Sequence, residues 1–206
     1  MKPAAIEAES MRIVYEEIGN CSFDSAEMVV VSRVVHATAD PEFAEHICFH
    51  PRAIAAGTAA LLRGCTVVTD VRMVEAGISK PRLAALGGTT LCAIDAFEVG
   101  ATAAALGETR STMAMRSCAT RMNGSIVAIG NAPTALLEVV RLWDEGSIQP
   151  ALVVGVPVGY VNAAQAKATL AARDLPYITV MGRKGGSPVA AAIINAMMQL
   201  AVAQLS

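Results

Sequence analysis

The sequence predicts an α/β fold with three layers, α/β/α, in which helices cover both faces of a doubly wound, mainly parallel sheet. Three observations predict it. Short runs rich in β-branched residues alternate along the chain with longer helical stretches, the pattern of successive βα units. No linker, charge block, repeat or low-complexity run divides the 206 residues, so 1–206 reads as one domain. Hydrophobic residues make up 54% of the chain, enough to bury one sizeable core.

After a polar opening, residues 10–19 and 24–37 read as helices. The second begins with Asp24 as N-cap and Glu27 three residues later, a pair able to satisfy each other's backbone N–H groups. Strands are expected at 46–49, 66–69, 90–94, 125–129, 151–156 and 177–181. Helices are expected at 52–63, 71–76, 99–106, 109–122, 133–145, 163–173 and 188–204, with the alanine tracts as helix formers. The last segment, 185–206, carries no charge but is interrupted by Asn195, Gln199 and Gln204. It follows a strand as the helix of a terminal βα unit would, and is expected to be buried rather than to span a membrane.

The stretch 124–146 marks a site. Residues 125–129 form an apolar β-branched run bounded by glycines, as in a strand covered on both faces. Asn131 is expected to cap the next helix, Pro133 fits its first turn, and Leu136, Leu137 and Val140 supply its apolar stripe. Such a turn aims backbone N–H groups above the carboxyl edge of the sheet. That edge is where open α/β sheets bind ligands, and a helix N-terminus there favours anions. A plain packing turn would have the same sequence.

Composition excludes several function classes. A formal charge of -2 and a pI near 5.9 lack the basic footprint of a nucleic-acid binder. Aromatic residues are only 4%, too few for base-stacking platforms. Cys21, Cys48, Cys65, Cys92 and Cys118 show no CxxC pairing, so they read as reduced core residues. With no apolar run near the N-terminus to suggest secretion, a cytoplasmic protein is expected. His46 and His50 have a metal-like spacing, but Pro51 follows at once, and no metal site is expected. The phosphate-loop, dinucleotide and serine-hydrolase signatures are missing.

Two groups of residues could carry chemistry. Arg33, His36 and Asp40 fall three and four residues apart, so one helix face would bring together a cation, an imidazole and a carboxylate. Asp40 would then orient the ring and favour its protonated form. A polar helix end with a satisfied histidine reads the same way. The second group is the glycine-rich 182–187 loop, where Arg183, Lys184 and backbone N–H groups could hold a carboxylate or phosphate, or simply form a solvated turn.

Six ordered motifs resemble the precorrin-8X methylmutases, the precorrin isomerases of cobalamin biosynthesis. They are Arg33-Val-Val-His-Ala-Thr-Ala-Asp40, Asp70-Val-Arg-Met-Val-Glu-Ala-Gly77, Gly107-Glu-Thr-Arg-Ser111, Ile129-Gly-Asn-Ala-Pro-Thr-Ala-Leu136, Gly155-Val-Pro-Val-Gly-Tyr160 and Gly182-Arg-Lys-Gly-Gly-Ser187. The resemblance runs from about residue 10 to about 197. It implies a doubly wound fold and a homodimer with its tetrapyrrole substrate near the interface. It also implies an isomerase that moves a methyl group from C-11 to C-12 of precorrin-8X or cobalt-precorrin-8, giving hydrogenobyrinate or cobyrinate, with no cofactor. By motif position His36 matches the family's catalytic histidine, and Ser10 and Arg110 match residues that contact substrate. Arg33, Ser111, Asn131, Arg183 and Lys184 are expected to join them around its carboxylates.

Ala39 stands where the family pattern often has glycine, which bears on the turn before Asp40. The His-Ala-Thr-x-Asp form and Lys184 point toward the cobalt-containing branch. The alternatives are a non-catalytic corrinoid carrier, which would not need a titratable His36, and a nucleotide-binding regulator, which would need a phosphate loop.

Overall fold

The computed structural model describes residues 3–205. Six strands form one sheet: β1 (Ile47–Phe49), β2 (Thr66–Thr69), β3 (Thr89–Cys92), β4 (Ile126–Ile129), β5 (Leu152–Gly155) and β6 (Tyr177–Val180). Their order is β1-β6-β5-β4-β2-β3. All neighbours are parallel except β1, which runs antiparallel to β6 with Ile47 opposite Val180 and Phe49 opposite Ile178. From the centre the chain winds outward both ways, through β4, β5 and β6 on one side and β2 and β3 on the other. The crevice between the carboxyl ends of β2 and β4 is therefore the topological switch point, where such sheets bind ligands.

Eleven α-helices are described: α1 (Pro3–Ile18), α2 (Ser25–Thr38), α3 (Phe43–His46), α4 (Ala53–Leu62), α5 (Arg72–Gly77), α6 (Lys80–Ala85), α7 (Phe97–Leu106), α8 (Arg110–Ser117), α9 (Pro133–Asp144), α10 (Ala163–Ala171) and α11 (Ser187–Ala203). The capping pattern of α2 is realised. Asp24 accepts from the N–H groups of Ala26 and Glu27, both at 2.8 Å, and Glu27 accepts from Asp24 N–H at 3.2 Å. Three differences from expectation appear. α1 begins at Pro3, the expected 109–122 helix breaks after Ser117 into a 3₁₀ turn at Ala119–Arg121, and α3 and α6 were not foreseen. α3 has four residues, too few to show a helical period.

Strand alternation divides the core in two. Ile126, Ala128, Leu152 and Val154 face α2, α4, α5 and α11, whereas Val127, Ile129 and Val153 face α7, α8, α9 and α10. α11 lies within the first layer with ten buried residues, among them Ile193, Ile194 and Met197, which explains its lack of charge. Among the described residues no helix is long and apolar enough to cross a membrane. Gly130 permits the start of α11 to approach the end of β4, because a Cβ there would stand 2.8 Å from Ser187 Cα. This close approach brings α11 beside the switch point.

Candidate active site

At the switch point a single carboxylate organises the turn. Asp70 follows β2 with no exposed surface, and its Oδ1 accepts from Gly130 N–H at 3.0 Å. Its Oδ2 accepts from the N–H groups of Asn131 and Ala132, both at 2.8 Å. Burial pushes the Asp70 carboxyl above the ordinary carboxylate range, against the pull of these three donors. This corrects the expectation for Asn131. The N-cap of α9 is Ala132, Asn131 makes no capping bond, and its side chain is exposed. The N–H groups expected to meet an external anion are already filled by Asp70.

Next to this turn lies a cavity of about 520 Å³, built from α2, the α5–α6 link and the first turns of α11. Arg33, His36, Ser79, Arg82 and Asn195 line it. Asn195 fixes one wall: its Oδ1 accepts from Ser79 N–H and its Nδ2 donates to Gly77 O, both at 2.9 Å. His36 is exposed near the end of α2, while Arg33 one turn earlier pairs with Glu7 of α1 at 3.2 Å. Ser10 is half-buried on α1, one helical turn beyond Glu7.

Asp40 does not join His36. α2 ends at Thr38, and Ala39 takes the left-handed conformation with φ 51°, so the chain leaves the helix face before Asp40. Asp40 instead accepts from Lys184 Nζ at 2.5 Å and from Glu42 N–H at 3.0 Å. Lys184 beside it holds the Asp40 carboxyl below its usual range. The same ammonium reaches Glu42 at 2.8 Å, so Lys184 joins two elements rather than standing as an unpaired cation. Arg183 is exposed and lies over the Tyr160 ring, 5.3 Å from its centroid.

Arg110 and Ser111 open α8, beyond the carboxyl end of β3. Arg110 donates to Ile94 O at 2.7 Å and keeps much of its guanidinium exposed, and Ser111 is half-buried. Of the expected site residues, Arg33 and His36 therefore share one cavity, Arg183 and Lys184 share a neighbouring loop, and Arg110, Ser111 and Asn131 lie outside the cavity. Sequence reasoning missed Ser79, Arg82, Asn195 and the role of Asp70. The one available signal for Asn195 was an amide in an otherwise uncharged apolar helix. Among the described residues no group of three His, Cys, Asp or Glu side chains could hold a metal. His46 pairs with Glu42 at 3.2 Å and His50 with Asp174 at 3.1 Å, in separate places.

Residues 5–200 match the family model of precorrin-8X methylmutase. The chain belongs to the precorrin-8X methylmutase family. It is accordingly an isomerase of cobalamin biosynthesis. The cobalt-precorrin-8 methylmutase of Priestia megaterium is 44% identical over 201 residues, covering 98% of this chain and 89% of the relative. The precorrin-8X methylmutase of Pseudomonas aeruginosa is 44% identical over 167 residues, covering 80% of each. A solved structure of precorrin-8X methyl mutase from Thermus thermophilus superposes with a TM-score of 0.92 at 39% identity, covering 98% of this chain and 97% of that one.

Proposed function

We propose that this isomerase moves the methyl group on C-11 of a precorrin-8 substrate to C-12, with His36 giving a proton or hydrogen bond to the macrocycle as the methyl migrates. The observation that carries this reading is the position of His36, exposed at a cavity it shares with two arginines, Arg33 and Arg82. The shift is intramolecular, so every atom of the substrate is kept in the product. It requires no hydride and no external nucleophile, only the reactive tautomer held in place and a proton that His36 lends to the macrocycle as the methyl moves and takes back once the product's conjugation is set. The histidine–carboxylate pairs among the described residues are those of His46 and His50, so no carboxylate holds the His36 ring and its nitrogens are left to the substrate.

The substrate's peripheral carboxylates suit Arg33, Arg82, Arg110 and Arg183 through charge-assisted hydrogen bonds. Ser10, Ser111 and Asn131 would add neutral contacts. Exposed apolar side chains follow the carboxyl ends of three strands: Met73 after β2, Phe97, 84% exposed, after β3, and Tyr160, 86% exposed, with Val161 after β5. Such a rim suits an apolar macrocycle and a second subunit, and supports a homodimer in which the open cavity is closed by the partner. The mean hydropathy of +0.48 agrees with a covered surface. Five free cysteines suit the reducing cytoplasm.

His36→Ala tests the reading, assayed by absorbance with both the metal-free and the cobalt-containing precursor, since relatives with equal identity carry both names. The variant is expected to fold and bind product while losing about 100-fold or more in kcat. Turnover within a few-fold of the unmodified protein on both precursors would refute the assignment. Repeating the assay on dilution tests the homodimer, as activity should fall with dissociation.

A further inference from the structure

Lys167 lies mid-way along α10 with no exposed surface, among the largest side chains fully enclosed by the fold. Burial alone draws its ammonium down to about 8. Among the described residues it has no carboxylate partner, and its one hydrogen bond runs 2.6 Å to the carbonyl oxygen of Lys184. An apolar side chain would fill the same volume without the cost of burying a charge, so the packing of α10 does not account for a lysine here.

What the bond holds is a loop with little support of its own. Residues 182–187 form neither helix nor strand until Ser187 begins α11. The loop is tied to the neighbouring 156–159 segment by backbone alone, with Gly186 N–H donating to Val156 O at 2.8 Å and Gly159 N–H to Arg183 O at 3.2 Å. Gly185 makes this approach possible: its φ is 156°, and a Cβ there would stand 2.3 Å from Val156 O. Lys184 faces two ways. Its carbonyl points inward to Lys167, while its side chain reaches Asp40 and Glu42 just beyond the end of α2. Asp40 is four residues past His36, so one residue links the buried ammonium to the segment that ends the His36 helix.

We propose that Lys167 is a positioning residue for the isomerisation: by holding the Lys184 carbonyl it seats the 182–187 loop, and through the bonds of Lys184 to Asp40 and Glu42 it fixes the end of α2 that presents His36. The inference rests on the role of His36 given above, but its first test does not require substrate. Lys167→Met keeps the volume and removes the donor, and Lys167→Gln keeps an N–H donor without the charge. Amide hydrogen exchange of the substrate-free protein is measured across the chain. In Lys167→Met the 182–187 loop and residues 38–42 should exchange about tenfold faster while core strands are unchanged, with Lys167→Gln between the two.

With precursor, kcat of Lys167→Met should fall about tenfold, as expected for a misplaced catalytic group. In a Lys184→Ala background the same substitution should lower kcat little further, because the link is already broken. Unchanged exchange at 182–187 in both variants would overturn the proposal, whatever happens to activity. So would faster exchange that rises equally throughout the chain, which would make Lys167 a stability residue only. If the loop loosens as expected but His36→Ala remains active, the loop role stands and the reading of His36 fails.

Discussion

Replacing Asp70 by Asn changes one buried atom and should disturb the switch point more than any surface substitution. The carboxylate accepts three backbone N–H bonds, one at Oδ1 and two at Oδ2. An Asn that keeps its oxygen at the Oδ2 position retains the bonds to Asn131 and Ala132, but as neutral pairs of roughly half the strength. Its NH₂ then faces Gly130 N–H, donor against donor. Losing a bond to a charged group costs about 1.5–3 kcal/mol, and weakening the other two adds about 1 kcal/mol or more. Relief of a buried charge offsets part of this, so the expected loss is about 2–4 kcal/mol. For a chain of this size that lowers Tm by roughly 5–12 °C. Urea unfolding at one fixed protein concentration is the assay, with the slope unchanged and the midpoint lowered. A change below about 0.5 kcal/mol would refute the assignment of Asp70 as the organiser of the turn.

Two further predictions concern neighbouring features. Ala39→Gly should stabilise the chain by about 0.5 kcal/mol, since the left-handed conformation costs alanine about 1–2 kcal/mol and glycine's extra unfolded freedom returns part of that; a lowered urea midpoint would contradict it. Glu138 is almost fully buried and bonded by Arg116 at 2.8 Å and Arg141 at 2.7 Å. Burial by itself would raise its carboxyl, but Arg141 and Arg116 outweigh it and hold the group below its ordinary range. A depressed folded pKa gives stability that is complete above the unfolded value, near 4.3, and is lost as pH falls through the folded value. Glu138→Gln should therefore cost about 1–3 kcal/mol at pH 7, with the gap to the unmodified protein closing below about pH 4. A gap independent of pH would show that the ion pairs contribute nothing.

The sequence by itself determined whatever depends on neighbours a few residues away. Strands buried on both faces must be short apolar runs, and so 66–69 is β2 at its expected bounds. The start of α2 was legible because Asp24 and Glu27 satisfy each other across a single turn. The ordered motifs were sufficient for the family, and the helical spacing of Arg33 and His36 was sufficient to set both on one wall of the same cavity. Only the tertiary structure decided the partners. Asp40 was expected beside His36 but binds Lys184, 144 residues away, because the helix that would have aligned them stops at Thr38. The N–H groups near Asn131 were expected to be open but are filled by Asp70, 60 to 62 residues earlier. β1 turned antiparallel at the edge of the sheet, and α11 found its place against α2, α4 and α5. Local propensity and capping act over a turn or two of chain. The satisfaction of a buried charge or N–H group is settled by whatever the completed packing brings within about 3 Å, and that distance in space carries no fixed separation in sequence.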